Sequence, residues 1–418
     1  MEIEKIYNLY STYYLADTDT RSIRENTLFF ALKGANFNGN TFAKEAIALG
    51  ASFAIIDEIA YHTGPQTIVV DNVLNTLQAL AQYHRKQLKI PVLALTGSNG
   101  KTTTKELIHA VLSQKYTTTA TQGNLNNHIG VPLTLLSMTP ETEIGIVEMG
   151  ANHQKEIEFL CTLAAPNYGY ITNFGKAHLE GFGGLEGVIQ GKSELYTFLR
   201  AQHKSAFINP KDALQIAQSA AIKCIYFPEN IAFKSAAPFV KVTLGATEIQ
   251  STLVGDYNYS NIAAAITIGL YFEVTPQAIQ TAIAGYVPNN NRSQILATAN
   301  NQLILDAYNA NPSSMKAAIG NFSKLEAAFQ TVVLGDMFEL GAAADKEHQA
   351  IVDYADGCFF ENTYYVGVHF YKSTTKNLQF KTFEALQKHL HAHPLSAQHI
   401  LIKGSRGMRL ERLIEVLE

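Results

Sequence analysis

The stretch Leu93-Ala-Leu-Thr-Gly-Ser-Asn-Gly-Lys-Thr-Thr-Thr104 constrains this chain more than any other. An apolar run at 92–95 reads as a buried strand, Gly97 and Gly100 follow, and a helical pattern runs from Lys101 to residue 112. A strand that turns through glycines into a helix N-terminus makes a cradle for phosphate. Its backbone N–H groups point at the anion, the helix dipole adds positive potential, and the glycines let the chain come close. Lys101 is placed to neutralise the β- and γ-phosphates, and the Thr102 hydroxyl to ligate Mg²⁺. The usual loop has four residues between its glycines and this one has two, so the assignment rests on the flanking strand and helix. The expectation is an ATP site formed by Gly97, Ser98, Asn99, Gly100, Lys101, Thr102 and Thr103. The alternative is an ordinary strand–helix turn that carries a lysine.

Around this loop, strands and helices alternate from residue 90 onward, which implies a parallel sheet covered by helices. A second strand is expected at 142–149 and a third at 168–172. Glu148 continues the apolar face of Ile144 and Ile146 at the strand's C-terminal end, where α/β sheets place ligands. It is either a carboxylate for Mg²⁺ or a plain strand-end glutamate. In the helix expected after 181–184, Leu185, Val188, Ile189, Leu195 and Leu199 share one face, and Lys192 falls in the same stripe. A lysine there must snorkel, lose its proton or find a specific partner. A neutral lysine can also take up CO₂ as a carbamate, an anionic oxygen ligand. Asn258 and Asn261, before a helix, cap it or line a pocket.

Before residue 89 the chain reads as a separate block, with a helix at 42–49, strands at 51–56 and 67–70, and a helix at 74–88. After a polar stretch at 288–292, a further αβ series begins: strand 302–306, helix 312–322, strands 331–334, 364–368 and 399–403, and a helix at 408–417. Domains are therefore expected at 1–88, 89–288 and 289–418, in keeping with a length of 418 residues. A net charge of −4 argues against nucleic acid as the main partner. Three scattered cysteines match no metal or disulfide spacing and suit a reducing compartment. No apolar run reaches membrane-spanning length and the start lacks a signal-peptide core, so a cytoplasmic protein is expected.

Taken together, the motifs resemble those of the Mur ligase family of ATP-dependent amide-bond-forming enzymes. The central matches are Thr96-Gly-Ser-Asn-Gly-Lys-Thr-Thr103, Asn126-Asn-His-Ile-Gly-Val-Pro132, Glu148-Met-Gly-Ala-Asn152 and Asn173-Phe-Gly-Lys-Ala-His-Leu-Glu-Gly181. Gly191-Lys-Ser-Glu194 is similar to the family's carbamylated-lysine site. In the last domain the matches are Asp306-Ala-Tyr-Asn-Ala-Asn-Pro-Ser-Ser314, Gly335-Asp-Met-Phe-Glu-Leu-Gly341 and Lys403-Gly-Ser-Arg406. These resemble the member that adds D-Ala-D-Ala, and differ from the sister ligase that adds the third peptide residue. Asp19-Thr-Arg21 looks like part of a domain that holds the UDP end of a substrate. One departure is Tyr257, where many relatives carry His; an aromatic ring there can still stack.

The resemblance implies an α/β fold of three domains: a UDP-substrate domain, a central parallel-sheet ATPase and a Rossmann-like C-terminal domain. It implies that ATP phosphorylates the terminal carboxylate of a UDP-N-acetylmuramoyl-tripeptide, and that the amine of D-Ala-D-Ala then displaces phosphate. By the same resemblance, Thr102 and Glu148 would hold one Mg²⁺, and His178 with a Lys192 carbamate would hold a second. Lys101, His178 and Lys192 are the expected catalytic set. Asn258, Arg292 and Asp306 would contact ATP, Thr20 and Arg21 the UDP-substrate, and Asn309, Asn311, Lys403 and Arg406 the dipeptide. A monomer is expected. The rivals are a folylpolyglutamate synthetase, which shares the glycine loop, and a non-enzymatic nucleotide switch, which would not need Glu148, His178 and Lys192.

Overall fold

The structure is a computed structural model and describes residues 2–418. A helix, Ile3–Tyr10, opens the chain and packs on a second, Val73–Gln87. Between them lies a parallel sheet in the order Ala16–Asp17, Leu28–Phe30, Phe53–Ile56, Thr67–Val69. Asn72 caps the second helix by accepting from Asn75 N at 2.8 Å, and the face Leu77, Leu80, Ala81 is buried.

The central sheet has six parallel strands. In space they run Lys223–Tyr226, Ser205–Ile208, Tyr168–Ile171, Val92–Thr96, Ile144–Glu148, Thr118–Ala120. The chain leaves Val92–Thr96 toward one edge and later returns to its other side, so this strand stands at the point where strand order reverses. Open α/β sheets bind ligands at the carboxyl ends there. Both faces of the strand are buried: Val92 and Ala94 on one, Leu93 and Leu95 on the other. A small antiparallel sheet, Ile231–Ser235, Lys241–Leu244 and Thr247–Gln250, closes the second face; periodicity had not singled it out.

The C-terminal sheet runs Gln294–Ala297, Gln302–Asp306, His399–Lys403, Gln330–Gly335, Asn362–Val366, Leu378–Phe380. Only the edge strand Gln294–Ala297 is antiparallel. The expected helix at 408–417 is mostly not α-helical. Residues Arg406–Met408 and Leu410–Leu413 form 3₁₀ turns, and only Ile414–Leu417 is an α-helix. Arg409 between them sits at φ +49°, which an α-helix does not accommodate. No helix among the described residues is long and apolar enough to cross a membrane.

Candidate active site

Three neighbouring central strands end at Thr96, Glu148 and Ile171, so the glycine loop, Glu148 and the segment 172–178 emerge side by side. In the C-terminal domain, adjacent strands end at Asp306, Lys403 and Gly335. The segments leaving both sets of strand ends line one cavity of about 860 Å³.

The glycine loop is held by the third strand's exit. Ser98 N donates to Asn173 O (3.1 Å) and Asn99 N to Asn173 Oδ1 (3.1 Å). Thr172 Oγ1 and Asn173 Nδ2 donate to Asn99 O at 2.6 and 3.0 Å. Gly97 has φ +142° and a Cβ there would collide with Thr172; Gly100 has φ +78° and a Cβ would meet Asn261 Oδ1 at 2.6 Å. Close approach therefore requires both glycines. Lys101 Nζ donates to Gly97 O at 2.7 Å, and Lys101 starts the helix that carries Thr102 and Thr103 in its first turn. Burial pulls the Lys101 ammonium below the usual lysine range; Glu148 opposes that shift and Arg292 adds to it.

Glu148 is 1% exposed. Its Oε1 accepts from Asn126 Nδ2 (2.8 Å) and Thr102 Oγ1 (3.3 Å), whereas the buried Oε2 has no partner. A carboxylate oxygen buried without a donor is costly unless a cation meets it. The position therefore fits Mg²⁺ beside the phosphate loop. Among the described residues no group of three or more His, Cys, Asp or Glu side chains is gathered. A metal here would share its shell with hydroxyl, phosphate and water oxygens, as Mg²⁺ usually does.

Lys192 is 0% exposed on the helix Leu185–Ala201 and does not snorkel. Its Nζ donates to Ala151 O at 3.2 Å and lies over the Phe182 ring. Burial, with help from the Lys101 charge, pushes its ammonium well below the usual range. Lys192 does not itself line the cavity; Ala151, which it touches, does. His178 lines the cavity, and its Nδ1 stands 2.5 Å from Glu339 Oε2 of the C-terminal domain.

Across the cavity, Arg292 stacks on the Tyr308 ring at 3.6 Å, and Arg406 Nη1 donates to Tyr308 OH at 3.1 Å. Lys403 is 2% exposed and its Nζ lies 2.6 Å from Asp306 Oδ2. Register makes these two residues direct neighbours, and their charges are committed to each other. Arg406 is thus the exposed cation of the pair Lys403 and Arg406. Asn311 caps the helix Pro312–Phe322 and donates from Nδ2 to Asn99 Oδ1 at 2.6 Å, while Asn309 Oδ1 accepts from Ala310 N. Asn258 is buried, donating to Val254 O and accepting from Asn261; Tyr257 OH contacts Ser293 Oγ at 2.8 Å. Thr20 and Arg21 lie outside this cavity, in a 3₁₀ turn capped by Asp19, with the Arg21 side chain 87% exposed.

Sequence reasoning gave no role to Asn126, Asn173, Tyr308 or Glu339. All four lay inside the motifs quoted above. What was missing was the contact between motifs far apart in the chain.

A phosphate loop and a buried carboxylate on one wall, with arginines from a second sheet on the other, define a nucleotide-dependent enzyme that works between two α/β domains. Three family models match in succession: "Mur ligase family, catalytic domain" over residues 12–95, "Mur ligase middle domain" over 95–269, and "Mur ligase, glutamate ligase domain" over 291–406. The UDP-N-acetylmuramoyl-tripeptide–D-alanyl-D-alanine ligase of Bacillus subtilis is 33% identical, covering 96% of this chain and 92% of that protein. The enzyme of the same name from Escherichia coli is 34% identical over 96% and 93%. A crystal structure of MurF from Acinetobacter baumannii superposes with a TM-score of 0.85 at 30% identity, over 96% and 92% of the two chains. The chain belongs to the Mur ligase family.

Proposed function

We propose that this chain is the ATP-dependent ligase that joins D-Ala-D-Ala to UDP-N-acetylmuramoyl-tripeptide, giving the pentapeptide precursor of peptidoglycan. The observation that carries this reading is the shared cavity. It sets the phosphate loop and Glu148 against Arg406, Asn309 and Tyr308, so a phosphoryl donor and an anionic amine substrate can meet there.

The ATP γ-phosphoryl group passes to an oxygen of the tripeptide's terminal carboxylate, and ADP is released. The amine of D-Ala-D-Ala attacks the acyl carbon; the new C–N bond forms, the C–O bond to phosphate breaks, and the amine loses a proton. Two anions must first be brought together, and loop N–H groups with Lys101 reduce their repulsion. Mg²⁺, when bound, screens that charge further. Thr102 and Glu148 would hold one ion. His178 would hold a second, with Lys192 as a carbamate; a buried, readily neutral amine can lose a proton to CO₂ addition and gain an anionic oxygen. Arg292 would sit beside the triphosphate, and Asp306 holds Lys403 still in the cavity wall. Arg406 suits the dipeptide's carboxylate, with Asn309 beside it. Thr20 and Arg21 belong to the first domain, where the UDP end would bind. We place the protein in the cytoplasm, acting as a monomer.

Phosphate release, followed with a panel of acceptors and amines, tests the reading. Release is expected only with UDP-N-acetylmuramoyl-tripeptide, Mg²⁺ and D-Ala-D-Ala together, and L-Ala-L-Ala should be a much poorer amine. Release with a folate and glutamate, or with no amine, would overturn it. Lys192→Ala should be inactive and partly rescued by a small carboxylate. Wild-type turnover from that variant would remove the carbamate role.

A further inference from the structure

His178 and Glu339 meet across the boundary between central and C-terminal domains, and both have unusual backbones. Neither is glycine, yet His178 has φ +52° and Glu339 has φ +62°. The left-handed region costs a non-glycine residue roughly 1 kcal/mol or more, and it persists where the surroundings enforce it. Here they do. Asp336, Met337 and Phe338 are each anchored: Asp336 accepts from His369 N and Phe370 N, Met337 N donates to His348 Nε2, and Phe338 N donates to Ser405 Oγ. Glu339 O then accepts from Glu180 N of the central domain at 3.2 Å. The loop is fixed so that the Glu339 carboxylate reaches His178 Nδ1 at 2.5 Å.

That nitrogen is buried and has no other partner, and the carboxylate oxygen lies out of line with the ring N–H direction. With the imidazole neutral, the contact is a bent hydrogen bond from Nδ1–H to the carboxylate. A carboxylate at Nδ1 places the proton there and leaves Nε2 with its lone pair free, because imidazole carries one proton when neutral. A histidine that ligates a metal through one nitrogen is commonly oriented by a carboxylate on the other.

We propose that Glu339 is a positioning residue for His178, supplied by the C-terminal domain, so that the metal site at His178 is complete only when that domain is docked. The inference rests on the reading of His178 as a metal ligand. Other groups at this boundary support docking in the same place. Lys176 Nζ lies 2.5 Å from Glu347 Oε1, and Lys176 N donates to Ser313 Oγ at 3.0 Å. The segment 173–178 therefore touches the phosphate loop on one side and the C-terminal domain on the other.

The test is Mn²⁺ binding to the full chain with ADP, followed by electron paramagnetic resonance, alongside a thermal melt for each variant. His178→Ala defines the His178-dependent site by the Mn²⁺ binding it loses. Glu339→Leu is expected to weaken that binding by roughly 10- to 100-fold, with ADP affinity unchanged. Glu339→Gln, whose amide oxygen still accepts from Nδ1–H, should keep most of it. The double variant should lose no more than His178→Ala alone. Wild-type Mn²⁺ affinity in Glu339→Leu, or losses that add in the double variant, would overturn the positioning role and leave the metal reading of His178 standing. Unchanged binding in His178→Ala would overturn both.

Discussion

The central domain meets its two neighbours in opposite ways. Toward the N-terminal domain the contact is a continuous core: Ile6, Tyr10, Leu77 and Leu80 belong to the same buried cluster as Val92, Leu135 and Leu160. Its polar groups are buried too. Tyr10 OH donates to Leu136 O (2.6 Å) and His84 Nε2 to Met138 O (2.8 Å). Arg85 donates to the carbonyls of Ala164 and Ala165 and to Asn167 Oδ1. Toward the C-terminal domain the contacts are mostly polar, Lys176–Glu347, His178–Glu339, Lys324–Asp256 and Asn311–Asn99, with a smaller apolar part in which Val254, Leu179 and Phe239 pack on the C-terminal core. Apolar burial is lost all at once when an interface opens, whereas solvated ion pairs exchange for water at little cost. The first boundary is thus the costlier to open, and the second is the one that would yield if the domains part.

The largest expected effect comes from cutting the first boundary. Arg85→Ala removes a buried guanidinium and its hydrogen bonds to the carbonyls of Leu88, Ala164 and Ala165 and to Asn167 Oδ1, and should destabilise the protein by about 2–4 kcal/mol. Calorimetry should show the N-terminal and central domains still unfolding in one transition, since they share a core; separate transitions would mean the boundary is weaker than its burial implies.

Tyr10→Phe is a gentler cut at the same boundary. It deletes one buried hydrogen bond and leaves Leu136 O unpaired, for a loss of about 1–2 kcal/mol in denaturant unfolding. Lys176→Ala cuts the second boundary and should behave differently. Stability should change by less than about 1 kcal/mol, whereas turnover should fall roughly tenfold because docking is impaired. A large stability loss with normal turnover would reverse the comparison.

The smallest effect concerns pH. Burial holds the His84 imidazole below its ordinary value, against the hydrogen bond to Met138 O and with Arg85 adding to the shift; Tyr7, Tyr10 and Tyr14 pack around the ring. The unfolded chain binds a proton there from about pH 6.5 downward, where the folded chain does not. This contribution to stability is therefore complete above that pH and is lost as pH falls toward the folded value. His84→Gln should flatten the wild-type stability curve below about pH 6.5, by about 1 kcal/mol or less. An unchanged slope would show that His84 is not the group responsible.

Much of the architecture was legible because it is written locally. Apolar runs gave the strands at 92–95, 302–306 and 399–403, and a 3.6-residue stripe gave the helix that carries Lys192. Glu148 and the phosphate loop were legible for the same reason: a strand end fixes what stands at the carboxyl edge of a sheet. Short edge strands such as Thr118–Ala120 and Lys223–Tyr226 carried too little pattern to be seen. The helix expected near the C-terminus failed at Arg409, whose left-handed backbone periodicity does not register.

By itself, the sequence determined the kinds of chemistry present: the glycine loop, the strand-end glutamate, a lysine in an apolar stripe, and motifs shared with a ligase family. Only the tertiary structure decided how their charges are spent. Lys403 and Arg406 are three residues apart and both cationic, yet one is buried against Asp306 and the other is exposed beside Tyr308. Lys192 could have snorkelled, and is enclosed instead. His178 and Glu339 lie in motifs more than a hundred residues apart, and nothing in either motif names the other. The reason is physical: local pattern fixes which face of an element is apolar, whereas burial and pairing depend on what another element brings to that face.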